Sequence, residues 1–251
     1  DRMVSFGIGG MVELYGGFSG TETTNAERDT RDWRANFTLL TGDLNGDDAG
    51  LMNNSENSYN VVRMSDYALI SGFFIRGGNA NDATFNRGGG ILAQYVSDVS
   101  IYDCELQYNR ADYIGGGISV SQSSYIDIDR VRITYCEAGF GGAVCLLQAS
   151  YVYLYNSRFS DCEAFTHGGG VYLGAASDVD IINCVISENY ADQTGGGLHF
   201  ANNSDPYVIN CTIAYNIAGD NGDAIRCWDA TDNPTIVNSI IWGNNDPIET
   251  N

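Results

Sequence analysis

The sequence predicts an all-β fold, a single-stranded parallel β-helix of about seven regular coils. Three observations predict it. A glycine signal returns at Gly88, Gly115, Gly141, Gly168, Gly195 and Gly222, in steps of 27, 26, 27, 27 and 27 residues. A period in the twenties marks stacked units that bury one another's apolar faces. The residues after each signal alternate with a period of two, as in Val171-Tyr172-Leu173, the mark of a strand with one buried face. No stretch carries the 3.6-residue periodicity of a helix.

Taken in order, each period supplies three strand-like pieces. The first follows the glycines (Ile91-Leu92-Ala93, Ile118-Ser119-Val120, Leu198-His199-Phe200). A polar turn leads to the second (Val99-Ser100-Ile101-Tyr102, Ile126-Asp127-Ile128-Asp129, Val152-Tyr153-Leu154-Tyr155), with Ser, Asp and Tyr facing outward. After a column of Asp103, Arg130, Asn156, Asn183 and Asn210 comes the third, in four-residue cassettes from Leu106–Asn109 to Ile241–Asn244. An alanine stands two residues beyond the first five cassettes: Ala111, Ala138, Ala164, Ala191 and Ala218. In-register stacking at ~4.8 Å per coil predicts aliphatic ladders inside and Asn ladders at the corners, over about 34 Å of stack.

One further period runs from Val61 to Arg87, with Ile70, Phe74 and Ile75 as inward candidates. Val4–Phe6 and Val12–Leu14 read as still earlier strands. The chain thus divides into residues 1–59, N-terminal strands interrupted by a long insertion over 20–59, and residues 60–251, regular repeats. An insertion of this length in a compact array is either functional or a side lobe. The chain opens at Asp1 within an apparent strand and closes without a polar cap, so a segment of a longer protein or assembly, with repeats continuing beyond Asn251, is expected.

The Gly-Gly-[Gly/Ala]-[Ile/Val/Leu] signals and the [Phe/Ile/Leu]-x-x-Asn cassettes resemble the repeats of the polymorphic outer membrane protein family, built on the pectate-lyase-like right-handed parallel β-helix. The opening Val12–Thr23 segment, Arg31-Asp-Trp-Arg34 and Thr41-Gly-Asp43 look like the leading segment of large secreted bacterial β-helix proteins. The resemblance covers nearly the whole chain. It implies right-handed coiling and a secreted or cell-surface bacterial location. The fold carries adhesins, autotransporter passengers, lyases and glycosidases alike. Cys136 and Cys162 replace the cassette Asn in two coils, a departure that alters the corner and not the coil.

Charge narrows the partners. Twelve arginines, no lysine and a net charge of −20 repel phosphate backbones and anionic membranes, so nucleic acid is not an expected partner. No apolar run approaches the ~20 residues of a membrane helix, so no membrane insertion by this segment is expected. The partners left are a glycan or another surface protein.

Candidate chemistry is sparse. Asp43-Leu-Asn45-Gly-Asp47-Asp48 alternates oxygen ligands around a turn glycine, pointing to calcium that orders the insertion; Asn54 stands where a complete EF-hand loop has its bidentate Glu. Tyr102, Tyr153, Tyr155 and Tyr207 lie outward on one sheet and Tyr108, Tyr135 and Tyr215 in a second column, and flat rings among Asp, Asn and Gln suit sugars or a protein surface. No catalytic set assembles. For an enzyme, the candidates are Arg132, Arg158, Asp127 and Asp180. Glu105, Arg132 and Arg158 share a column and are expected to form a cross-coil ion ladder. His167 and His199 are expected at the surface, and the seven cysteines as buried free thiols. The expected function is a non-catalytic adhesin or rigid stalk; a carbohydrate-active enzyme and a purely structural assembly subunit remain open.

Overall fold

The computed structural model describes residues 1–250. The chain winds as a right-handed parallel β-solenoid of about seven turns. Six successive coils contribute four strands each, one more than the sequence pattern suggests; in one coil these are Val144–Leu147, Ser150–Tyr155, Arg158–Ser160 and Glu163–His167. Stacked coils build four parallel sheets of nine, eight, eight and six strands. The fourth sheet is the alanine column, in which Ala111 pairs with Ala138 and Ala164 with Ala191. Some of its strands are only two residues long, such as Tyr190–Ala191.

The core is a set of ladders, one residue type above the next. The third sheet stacks Ile75, Leu106, Ile133, Phe159, Ile186 and Ile213, all with no exposed surface. The second sheet stacks Ile101, Ile128, Leu154 and Ile181. At the corner after the third sheet, buried Asn189 and Asn216 and half-buried Asn244 bond to one another coil by coil. Their Nδ2 groups also donate to the Phe159, Ile186 and Ile213 carbonyls, which satisfies turn groups that would otherwise be orphaned. The glycine turns close the coil. Gly168 has φ +71°, and a Cβ on Gly169 would overlap the carbonyls of Tyr190 and Gly196, so side chains there are excluded on two separate grounds.

The 20–59 insertion is not one loop. Leu39–Thr41 is a strand of the third sheet, paired with Phe74–Arg76. It therefore completes an initial coil with Phe6–Ile8 and Glu13–Tyr15, which lie slightly downstream of the expected strands. Two loops remain, residues 16–38 and 42–61. The first holds a five-residue helix, Asn25–Asp29, started by a Thr24/Glu27 capping box. Arg31 pins this loop by donating to the carbonyls of Gly16 and Arg28 and to Ser71 Oγ. Phe74 does not face inward as expected. It lies outside, against Trp33 and Phe37 at centroid distances of 5.5 and 4.3 Å, while Phe73 and Ile75 are buried.

Candidate functional site

The outer face of the second sheet carries the expected tyrosines in two columns. One runs Ser100, Asp127, Tyr153, Asp180, Tyr207; the other runs Tyr102, Asp129, Tyr155, Ile182. Tyr102 donates to Asp127 Oδ2 at 3.1 Å and Tyr155 to Asp180 Oδ2 at 3.4 Å. Asp127 and Asp180 thus serve as acceptors for neighbouring phenols, and Tyr153 stands between them in the column. Burial, with Asp180 next, pushes the Tyr155 phenol up to about 12; burial also raises Tyr102. Both remain neutral hydrogen-bond donors at physiological pH.

Two further tyrosines that the sequence reading passed over complete this face. Each of the four six-residue strands of the second sheet has its second residue in the left-handed region: Asp98, Tyr125, Tyr151 and Asp178, with φ of 57°, 56°, 54° and 52°. The kink throws these side chains outward, and Tyr125 and Tyr151 stack at 4.8 Å with 4° between planes. Tyr125, Tyr153, Asp98, Asp127, Val99 and Ser100 line a shallow pocket of about 270 Å³. Flat rings beside carboxylate acceptors take the apolar face of a sugar ring and its hydroxyls together.

The second tyrosine column lies at a different corner. Tyr108 and Tyr135 stack at 5.3 Å, but Asp161 and Glu188 occupy the next two left-handed corner positions before Tyr215. Tyr215 lies over Gly243. The three therefore form no continuous surface.

Arg132 and Arg158 sit in register, next to Glu105, as expected. The ion ladder is not formed. Glu105 accepts from Gln107 at 2.8 Å, and among the described residues no ion pair joins the three. Arg132 and Arg158 face a corner pocket of about 340 Å³ shared with Arg34, Arg130, Asp103 and Asn156. There Arg130 is already neutralised by a two-pronged bond to Asp103 and a contact with Asp129.

The histidines depart furthest from expectation. His199 is 1% exposed, although it points away from the solenoid interior, in a column with Cys145, Tyr172 and Arg226. His167 and Thr194, each immediately ahead of a glycine turn, lie against His199 in this column. The rings of His167 and His199 stack at 4.6 Å, those of Tyr172 and His199 at 5.1 Å, and Trp228 adjoins both histidines. Thr194 Oγ1 bridges the two Nδ1 atoms at 2.9 and 3.1 Å. Burial, reinforced by His167, drives His199 down to about 3. Placement of His167 and His199 on facing sides of one turn, 32 positions apart, leaves no local motif in the sequence.

In the 42–61 loop, Asp43 and Asp48 converge with Glu56, while Asn45 and Asp47 of the expected calcium set are exposed and outside that group. All seven cysteines are buried free thiols. Among the described residues, no helix is long and apolar enough to cross a membrane.

A family model described as the right handed beta helix region matches residues 71–241. No curated protein and no solved structure matches the chain. With more than half its length matched and its strands wound in four parallel ladders, the chain belongs to the right-handed β-helix family.

Proposed function

We propose that this chain is a non-catalytic segment of a secreted or cell-surface bacterial protein, a rigid stalk or adhesin whose second-sheet face holds a glycan. The observation that carries the reading is the Tyr125–Tyr153 pocket, with its rings extended by Tyr151 and flanked by Asp98 and Asp127. The regular stack keeps this face in fixed geometry, so little ordering opposes binding. The carboxylates favour neutral or amino sugars over acidic ones.

The test is size-exclusion analysis of the protein with neutral, amino and acidic oligosaccharides, alongside the Tyr125→Ala and Tyr153→Ala variants. Co-elution of intact glycan is expected, with each variant binding about tenfold more weakly, since loss of one ring contact is worth ~1.4 kcal/mol. Shortened glycan would overturn the non-catalytic reading and turn attention to Arg132, Arg158, Asp127 and Asp180. Failure of every glycan to associate would remove the binding face and leave a stalk or assembly subunit.

A further inference from the structure

We propose that Asp43, Asp48 and Glu56, together with the amide of Asn57, form a calcium site that fastens the 42–61 loop onto the first regular coil. The site is independent of the tyrosine face.

One carboxylate oxygen from each of the three acids lies within 4.8 Å of the other two. Oxygens bound at ~2.3–2.6 Å on opposite sides of a calcium ion stand about that far apart. The acids come from separate points of the loop: Asp43 follows the strand Leu39–Thr41, and Asp48 and Glu56 flank the loop's excursion. Three like charges do not converge there for the sake of the fold, because their repulsion opposes loop closure.

The second observation is a set of buried oxygens without partners. Asp48 Oδ1 and Glu56 Oε1 are closed off from solvent and accept no hydrogen bond. Asn57 is wholly buried; its Nδ2 touches Asp48 Oδ2 at 2.7 Å, and its Oδ1 has no partner. A half-turn of that amide puts Oδ1 where Nδ2 now lies, beside the carboxylates, as a fourth oxygen ligand. A buried acceptor left unmade costs about 1–3 kcal/mol, a cost that a cation bound among these oxygens relieves. Burial raises the Asp48 carboxyl, with Asp43 and Glu56 adding to the effect.

The surroundings are shaped for such an ion. Gly77 of the first regular coil lies against the site, and a Cβ there would come within 3.0 Å of Asp48 Oδ2 and 3.1 Å of the Asp43 amide nitrogen. Asp43 is preset by amide donation from Gly46, Asp47 and Asp48. The Asn57 carbonyl is fixed by Arg2 Nε at 2.6 Å. The donors are all oxygen, which suits a hard cation rather than a soft metal, and carboxylates spread over a loop suit calcium's adaptable coordination better than the strict octahedron of magnesium.

The experiment is hydrogen exchange with calcium chloride at about 5 mM, enough to saturate a weak extracellular-type site, against chelator and against equal magnesium chloride. Calcium is expected to slow exchange across residues 42–60 at least tenfold. That protection should vanish in Asp48→Asn and Glu56→Gln and persist in Asp47→Asn, whose side chain lies outside the group. Exchange across residues 142–200 in the same samples reports that each variant is folded. Unchanged exchange with calcium, equal protection by magnesium, or protection that survives Asp48→Asn overturns the site.

Discussion

Single residues carry much of this fold's strain and relief. Asn183 holds a left-handed corner at φ +56° and hands a hydrogen bond from Asn210 on to Asn156. A left-handed backbone costs most side chains roughly 1–2 kcal/mol. Asn183→Ala should therefore lower stability by about that much, and Asn183→Gly by clearly less, read as shifts in the urea midpoint. His199 gives a pH signature. Its folded value of about 3 lies below the ordinary 6.5, so the unfolded chain takes up a proton first as pH falls. The stabilisation is whole above pH 6.5 and is lost progressively toward pH 3. Between pH 6.5 and 5 the loss is about 2 kcal/mol. His199→Phe, which keeps a ring against Tyr172, should flatten this slope in urea unfolding measured across that range.

Within a strand, what counts is the neighbour one coil away. Arg132 and Arg158 lie side by side without an ion pair among the described residues, and like charges directly opposite on parallel strands repel. Arg158→Glu should raise the urea midpoint by the equivalent of about 0.5 kcal/mol and leave glycan binding on the tyrosine face unchanged, since the two pockets share no residue. The ladders were readable from the sequence because Ile, Leu and Val recur at a fixed step with period-two alternation. The fourth strand was not: some copies are only two residues long, the longer ones shift register partway, and its inward residue, alanine, is a weak apolar signal. Leu39–Thr41 was hidden for a related reason: three residues between polar loops carry no repeat of their own. Phe73 and Phe74 are adjacent aromatics, so which one turns inward depends on Trp33 and Phe37, far away in the chain.

For the molecule as a whole, interactions run almost entirely between adjacent coils, so stability is a chain of nearest-neighbour interfaces. Deleting residues 142–168, one full period, should leave a folded solenoid with unchanged β-sheet circular dichroism and a long dimension shorter by ~4.8 Å in solution scattering. The columns through Tyr153 and Tyr102 were legible at this scale, because period alone sets which side chains stack; Tyr125 and Tyr151 were not, because a left-handed kink turns them outward. The histidine cluster and the Glu56 contribution were not, since both arise where a turn or loop folds across the outside of the wall. The buried cysteines extend the same logic to dynamics. The thiols are buried along the array, with Cys145 and Cys162 sharing one coil, and burial lifts Cys104 to about 12 and Cys227 to about 11, so alkylating reagents find almost no thiolate at those two while the coils stay closed. Cys104, Cys162 and Cys227, all raised by burial, are therefore a built-in clock for opening. With one of these retained at a time, the rate of maleimide capture reads the lifetime of the coil that holds it, and a stack that frays from its ends would label Cys104 and Cys227 well before Cys162.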